Sequence, residues 1–251
     1  FGPGEDESLD EDSLGNEGPR VKESLRIAML GRPNAGKSSI VNSLMGENRM
    51  IVSDLPGTTR DSVDVALTLM DEEKEARLAR QEEGPVFLGY TFVDTAGVRR
   101  RTRIDDQVER FSVNAALKSS RKAEVTVFVQ DATEGLTTQD KKLISYLNRE
   151  KIAFLVVINK IDLIPRKEQK ELRKDYEYAL RICPHVPLVF TSALKGFGLD
   201  AILKTAEELF VESGRKVGTG LLNRTMSEAV QRHQPPVVKR IRAKFYYMTQ
   251  V

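Results

Sequence analysis

The sequence predicts an α/β fold: a doubly wound, mostly parallel sheet followed by a smaller, basic α/β segment. Three observations carry that reading. Short apolar runs rich in Val, Ile and Phe recur from Leu25 onward, and most are separated by amphipathic stretches, the pattern of βαβ units. A glycine-bearing turn, residues 31–38, lies between the first apolar run and a helical pattern. After Gly214 the charge changes character: residues 215–251 hold eight bases and one acid, a net +7.

Composition bounds the rest. Of the 251 residues, 40% are hydrophobic, enough for a sizeable core, and 30% are charged, as in ordinary globular proteins. Lys plus Arg is 39 against 37 for Asp plus Glu, so the average charge selects no partner. A single cysteine and no tryptophan exclude a disulfide scaffold and a multi-cysteine zinc site. Cys183 reads as a buried or idle thiol. No apolar run approaches the roughly 18 residues of a membrane span, and the N-terminus lacks the basic and apolar regions of a secretory signal. A start at Phe1 instead of Met points to a piece of a longer chain.

The elements follow in order. Residues 1–20 carry seven acids and one base among Gly, Ser and Pro. They bury too little to offset their ordering entropy and read as an acidic disordered linker. The domain over residues 21–213 opens with a strand at 25–30 and a helix at 37–45. Residues 63–69 alternate apolar and polar, as a strand with one solvated face does, and suit the antiparallel edge of the sheet. Residues 71–85 place Glu73 and Arg77 at i,i+4 spacing and read as a solvated helical excursion on a hairpin. Strands are expected at 86–93, 125–129, 152–158 and 186–190. Helices are expected at 108–119, 138–150, 166–181 and 200–212. In residues 214–251, Leu221, Leu222, Met226 and Val230 fall at helical spacing. Pro235-Pro236 ends that helix, and a basic strand-like stretch follows at 237–247. Tyr246 and Tyr247, beside Lys244, suit stacking on RNA, but read first as alternate-face strand residues of a truncated core.

Four motifs carry chemistry, each after a predicted strand. Gly31-Arg32-Pro33-Asn34-Ala35-Gly36-Lys37-Ser38 matches G-x-x-x-x-G-K-[ST] in the required strand-to-helix context, with Ser39 next in the helix. Glycines let backbone N–H groups wrap phosphates at a helix N-terminus. Lys37 is expected on the β- and γ-phosphates, and Ser38 on Mg²⁺. Asp94-Thr95-Ala96-Gly97 supplies an acid that suits Mg²⁺ and a glycine N–H for the γ-phosphate, with Val98 following. Asn159-Lys160-Ile161-Asp162 offers a carboxylate to the paired N1–H and N2–H₂ donors of guanine, so a buried Asp162 selects guanine over adenine. A helix N-cap Asp is the alternative for that residue. Ser192-Ala193-Leu194 places a backbone N–H where it meets the guanine oxygen, which favours the base-reading alternative.

In this order the motifs resemble the GTPase superfamily. Residues 53–61 (SDLPGTTRD) resemble switch I of the Era-like GTPases in the TrmE–Era–EngA–YihA–Septin class. The resemblance implies that Thr59 ligates Mg²⁺ and senses the γ-phosphate. It also implies that Asn34, as in the potassium-dependent members, helps hold K⁺ near the β/γ bridge. Residues 94–101 (DTAGVRRR), 159–163 (NKIDL) and the tail Leu222-Asn223-Arg224…Glu228-Ala229-Val230…His233-Gln234-Pro235-Pro236 are similar to the Der/EngA family of double Era-like GTPases. Over about residues 20–251 the likeness is to the second GTPase domain plus the start of a KH-like domain, residues 214–251, with residues 1–20 as the linker from a first GTPase domain. It implies GTP and GDP as ligands, GTP hydrolysis, ribosomal RNA and the large ribosomal subunit as partners in assembly, no DNA or membrane partner, and a cytoplasmic location. A GTP-dependent RNA-docking switch with incidental hydrolysis is a rival reading, and a tRNA-modification GTPase is another.

The sequence also departs from common patterns. Val98 stands where many GTPases carry a Gln that orients the attacking water. Lys195 lies one place later than the Lys of the S-A-K signature. Arg99, Arg100, Arg101 and Arg103 suit either contact with RNA or nucleotide, or a solvated basic loop. His185 lacks the second pair of ligands that zinc needs, and His233 reads as a capping or solvated residue.

Overall fold

The computed structural model describes residues 21–22, 24–46, 50–54, 65–69, 86–93, 119–238 and 241–250. The chain divides into two compact units, one ending at Phe210 and one covering Val211–Val251.

The first unit is built on a seven-stranded sheet. In chain order its strands are β2 (Leu25–Leu30), β3 (Met50–Asp54), β4 (Val65–Leu69), β6 (Gly89–Val93), β7 (Val125–Asp131), β8 (Phe154–Asn159) and β9 (Leu188–Phe190). Their spatial order is β3-β4-β6-β2-β7-β8-β9. The segment from β6 to β9 is parallel, with Ile27 beside Phe92 on one side and Val125 on the other. Two-residue strands β1 (Val21–Lys22) and β5 (Val86–Phe87) pair in parallel as a separate ribbon.

The unbroken apolar runs of the central strands follow from helices on both faces. On one face, Ile27, Val127, Val129, Leu155 and Val157 pack with helix α1 (Lys37–Gly46), through Ile40, Val41 and Leu44, and with helix α4 (Leu199–Gly214), through Ile202, Leu203 and Ala206. On the other, Leu30, Phe128, Val156 and Ile158 meet Ile144 and Leu147 of helix α2 (Thr138–Arg149) and Tyr176 of helix α3 (Arg166–Ala179). The alternation along β7 and β8 sends successive residues to opposite cores. Cys183 is buried in the second core, and burial pushes its thiol pKa up.

Helix α2 starts in a capping box: the Thr137 hydroxyl accepts from the Asp140 N–H at 3.3 Å, and the Asp140 carboxylate accepts from the Thr137 N–H at 2.9 Å. Such caps satisfy donors that a helix start leaves open and contribute about 1 kcal/mol. Helix α3 is mostly charged and buries Tyr176, while Arg173 lies over the Phe190 ring at 4.3 Å.

Several expectations need correction. Strand β4 is antiparallel, but the edge of the sheet is β3, which pairs with β4 from Met50 opposite Leu69 to Asp54 opposite Val65. Ser53 and Asp54, read as part of switch I, therefore sit in a strand. The expected strand 86–93 breaks at Leu88, because its two halves pair with different partners. Strand β9 begins at Leu188, since Pro187 lacks the N–H a ladder needs. The expected features at 1–20 and 71–85 lie outside the described residues, as does most of the helix at 108–119; residues 119–122 are helical.

In the second unit, helix α5 (Thr219–Arg232) has His233 as its C-cap residue, whose N–H donates to Ala229 O. The expected strand at 237–247 is instead a short antiparallel pair, β10 (Val237–Val238) with β11 (Ile241–Arg242). Tyr246 and Tyr247 belong to no strand and are exposed. Asn223 fixes the segment beyond: its Nδ2 donates to Met248 O at 3.0 Å, and its Oδ1 accepts from Met248 N–H at 2.8 Å.

Candidate functional site

Strands β2, β7, β8 and β9 lie side by side and parallel, so the loops leaving their C-terminal ends open onto one rim. That is the position where open α/β sheets bind ligands. The loops begin at Gly31, after Asp131, after Asn159 and at Thr191.

The Gly31–Ser38 turn is shaped by two glycines. Gly31 has φ +133°, and a Cβ there would lie 2.1 Å from Val129 O. Gly36 has φ +98°, and a Cβ there would lie 2.0 Å from Asn159 Nδ2. Neither position admits a side chain without displacing backbone or a buried amide. Between them Asn34 is left-handed, with φ +62°, and it is exposed along with Pro33. Lys37 reaches back over the loop, donating to Gly31 O at 2.7 Å and Arg32 O at 2.6 Å. Ser38 and Ser39 follow in the first turn of α1, both half-buried.

Burial lowers the Lys37 pKa to about 8 from its usual 10.5. Phosphates held beside Lys37 would favour the charged form and pull that value back up, so such binding would take up a proton and would weaken as pH rises through about 8. We expect proton uptake on GDP binding that grows as pH rises through about 8. Calorimetry of GDP binding in buffers of different ionisation heat measures this, and no uptake at pH 8 would contradict it.

Asn159, 1% exposed, joins three loops. Its Nδ2 donates to Ala35 O at 3.0 Å, and its Oδ1 accepts from Ala193 N–H at 3.0 Å and from the Thr191 hydroxyl at 3.3 Å. Ser43 of α1 adds a second tie, its hydroxyl donating to Ala193 O at 2.7 Å. Ser192 closes its own turn with backbone hydrogen bonds to Phe197 in both directions, at 3.0 and 3.1 Å.

The base-reading candidates differ from expectation in one respect. Asp162 is exposed, not buried, in a 3-10 turn at Ile161–Leu163. The N-cap alternative fails too, because the cap positions of that turn and of α3 are Lys160 and Pro165. Ile161 is buried and its N–H donates to Thr191 O at 3.1 Å, which anchors the turn and leaves Asp162 on the rim. Lys160 has φ +65° and runs to Asp131 Oδ2 at 2.5 Å.

Sequence motifs do not single out Asp131 and Asp140, and they place Arg32 on the nucleotide instead of on these acids. The Arg32 guanidinium turns away from the loop that carries it: Nη2 donates to Gly135 O at 3.2 Å, Nη1 pairs with Glu134 at 2.8 Å, and Nε lies 3.4 Å from Asp140. The available signals were an acid closing an apolar run and the Thr-x-x-Asp spacing ahead of a helix. Thr59, Asp94, Thr95, Ala96, Gly97 and Val98 lie outside the described residues; β6 ends at Val93, beside Ala28 of β2. Among the described residues no three His, Cys, Asp or Glu side chains converge as a metal site, and no helix is long and apolar enough to cross a membrane.

Comparisons with known proteins bear on the same loops. The family described as 50S ribosome-binding GTPase matches residues 26–160, and the KH-domain-like region of EngA bacterial GTPase enzymes, C-terminal, matches residues 216–251. GTPase Der of Lawsonia intracellularis is 49% identical over 227 residues, covering 90% of this chain and 47% of that protein. GTPase Der of Maridesulfovibrio salexigens is 55% identical over 226 residues, again covering 90% and 47%. The chain thus spans about half the length of the curated relatives it matches. Among solved structures, Era in complex with MgGDPNP and nucleotides 1506–1542 of 16S ribosomal RNA aligns with a TM-score of 0.50 and 29% identity, over 78% of this chain and 59% of that one. The first family match covers more than half of the residues, including the Gly31–Ser38 turn and Asn159, so the chain belongs to the 50S ribosome-binding GTPase family and carries the Der/EngA likeness into its KH-like C-terminal residues.

Proposed function

We propose that the chain binds GTP and GDP, hydrolyses GTP slowly, and acts in assembly of the large ribosomal subunit, in the cytoplasm. The observation that carries the nucleotide reading is Asn159, whose amide ties the phosphate-loop carbonyl of Ala35 to the Ala193 turn. One side chain thereby sets the distance between a place for phosphates and a place for a base. Lys37 and the loop amides hold the phosphates and offset charge that builds on them in transfer. Asp162, exposed on the rim, accepts from the guanine N1–H and N2–H₂. Ser38, with a hard oxygen donor beside Lys37, suits Mg²⁺, and Thr59 and Asp94 complete its protein ligands in this proposal. The exposed Asn34 carbonyl suits K⁺. Bound there, the two cations would neutralise phosphate charge.

Replacing Asp162 tests the reading. Asp162→Asn exchanges a charged acceptor for an amide that presents one carbonyl, and guanine loses charge-assisted hydrogen bonds. GTP and GDP affinity should fall by roughly 1.5–3 kcal/mol, about tenfold or more. A titration giving wild-type affinity would remove Asp162 from base recognition.

The ribosomal part of the proposal is supported by the family description and by the KH-like match. The net +7 of residues 215–251 supplies phosphate contacts with little sequence reading. RNA binding by the chain should therefore be weak and should drop steeply between 50 and 200 mM salt, in the range where counterion release acts. Affinity that stays flat across that range would defeat the electrostatic account.

A further inference from the structure

The loop between β7 and α2 sits between the two arms of the nucleotide site, because β7 lies between β2 and β8 in the sheet. Each end of this loop carries one buried carboxylate: Asp131 is 6% exposed and Asp140 3%. Each carboxylate is fixed by a nearby threonine. Thr133 donates to Asp131 Oδ1 from its N–H at 2.9 Å and from its hydroxyl at 2.7 Å. Thr137 donates to Asp140 Oδ2 from its N–H at 2.9 Å and from its hydroxyl at 2.7 Å. Each then faces a cation from a different arm. Asp131 takes Lys160, from the loop that carries Asp162. Asp140 takes Arg32, from the phosphate loop, with Gly135 O and Glu134 completing the guanidinium's partners.

Two further observations agree with a single network. Burial alone would raise the Asp131 pKa, but hydrogen bonds from Lys160 and Thr133 and the charge of Lys160 outweigh it and hold the carboxyl below its usual value. The buried Tyr176 hydroxyl, on α3, is pushed up to about 12, first by burial and then by the charges of Asp140 and Asp131, against the opposing effect of Arg32.

We infer that residues 131–140 form a strut that keeps the two arms of the nucleotide site in register, with Asp131 positioning the base-reading turn through Lys160 and Asp140 positioning the phosphate loop through Arg32. This rests on the nucleotide reading above. Asp131, Asp140 and Arg32 are positioning residues: they act through Lys160 and through the loop backbone. Asn159 sets the spacing of the arms from inside the sheet rim, and the strut sets their orientation from the side.

The two ends of the strut should fail differently. The test is titration of the whole chain with GDP, IDP and GMP. IDP lacks the exocyclic amine that Asp162 reads, and GMP lacks the β-phosphate that Lys37 reads. Asp131→Asn should lower the preference for GDP over IDP about fivefold and leave the preference for GDP over GMP. Asp140→Asn should do the reverse by a similar factor. General loosening of the fold would move both preferences together, so parallel losses in either variant overturn the strut. Unchanged preferences in both folded variants overturn it as well. If the wild-type chain shows no preference for GDP over IDP or GMP, the nucleotide reading itself falls, and the strut with it. Where a thermal melt shows that either variant is unfolded, Thr133→Val and Arg32→Lys replace it. These keep the carboxylates; Thr133→Val removes one hydrogen bond to Asp131 and Arg32→Lys breaks up the guanidinium's three contacts, and the same split is required of them.

Discussion

Replacing Asn159 with alanine should abolish measurable guanine-nucleotide binding at micromolar protein, in a chain that still folds but with reduced stability. Asn159 makes three hydrogen bonds from a site 1% exposed, to Ala35 O, Ala193 N–H and the Thr191 hydroxyl. Alanine leaves the two backbone groups and the hydroxyl without that partner, and each buried group stranded in this way costs about 1–3 kcal/mol. A total near 3–5 kcal/mol is a large fraction of the 5–15 kcal/mol typical of a domain. The binding loss should exceed that of Asp162→Asn, because that variant would lose hydrogen bonds to the base alone, whereas Asn159→Ala unsets the distance between the phosphate loop and the Ala193 turn. We expect at least a hundredfold loss of GDP affinity, about 2.7 kcal/mol. Asn159→Asp should not rescue it, since an oxygen would then face the Ala35 carbonyl where an N–H is required. Urea unfolding and GDP titration together check the expectation. Near wild-type affinity in folded Asn159→Ala would mean that the three loops keep their register without the amide.

That register was only partly legible in the sequence. The central strands could be read because both faces are buried, which turns a strand into an unbroken apolar run such as Phe154–Asn159. The Gly31–Ser38 turn was legible because its chemistry is local: glycines with positive φ, then Lys37 on a helix start. Strand β3 is not legible in the sequence because its five residues end in Ser53 and Asp54, which resemble a loop, and because its support comes from β4, more than ten residues away in sequence. The motif gives Arg32 to the nucleotide by its place, yet its side chain joins Glu134, Gly135 and Asp140, roughly a hundred residues on. Local sequence specifies what a side chain can donate or accept, whereas the strand order specifies which partner it finds. Asp162 shows the same limit from the other side. Its carboxylate chemistry was evident, but its exposure follows from Ile161 taking the buried position in the turn.

GTP hydrolysis should be faster in K⁺ than in Na⁺ at equal ionic strength, by about tenfold or more. Val98, the residue after Asp94-Thr95-Ala96-Gly97, has no hydrogen-bonding group and cannot orient the attacking water as a Gln does in many GTPases. In the proposed reading Lys37 and the loop amides would bind the phosphates before and after transfer alike, so a further positive charge at the β/γ bridge would be the contribution that selectively favours the transition state. In other GTPases an arginine finger in that position is worth ~10³–10⁵-fold. Asn34 is the proposed residue to recruit a cation there. It is exposed, its left-handed backbone at φ +62° holds it at the crest of the phosphate loop, and its side chain ends in a carbonyl. The size of the ion separates K⁺ from Na⁺, since a shell of carbonyl oxygens spaced for the larger ion coordinates the smaller one poorly. Asn34→Ala should erase the difference between the salts while GDP affinity changes little, because Lys37 and the loop amides remain. Arg99 and Arg100 offer the competing explanation, a finger supplied in cis. On that account Arg99→Ala with Arg100→Ala would slow hydrolysis equally in both salts, and Asn34→Ala would leave any salt difference in place. Steady-state rates of the wild-type chain in KCl and NaCl at saturating Mg²⁺ decide first: equal rates in the two salts would sink the potassium account, and a K⁺ advantage that survives Asn34→Ala would move its ligand elsewhere.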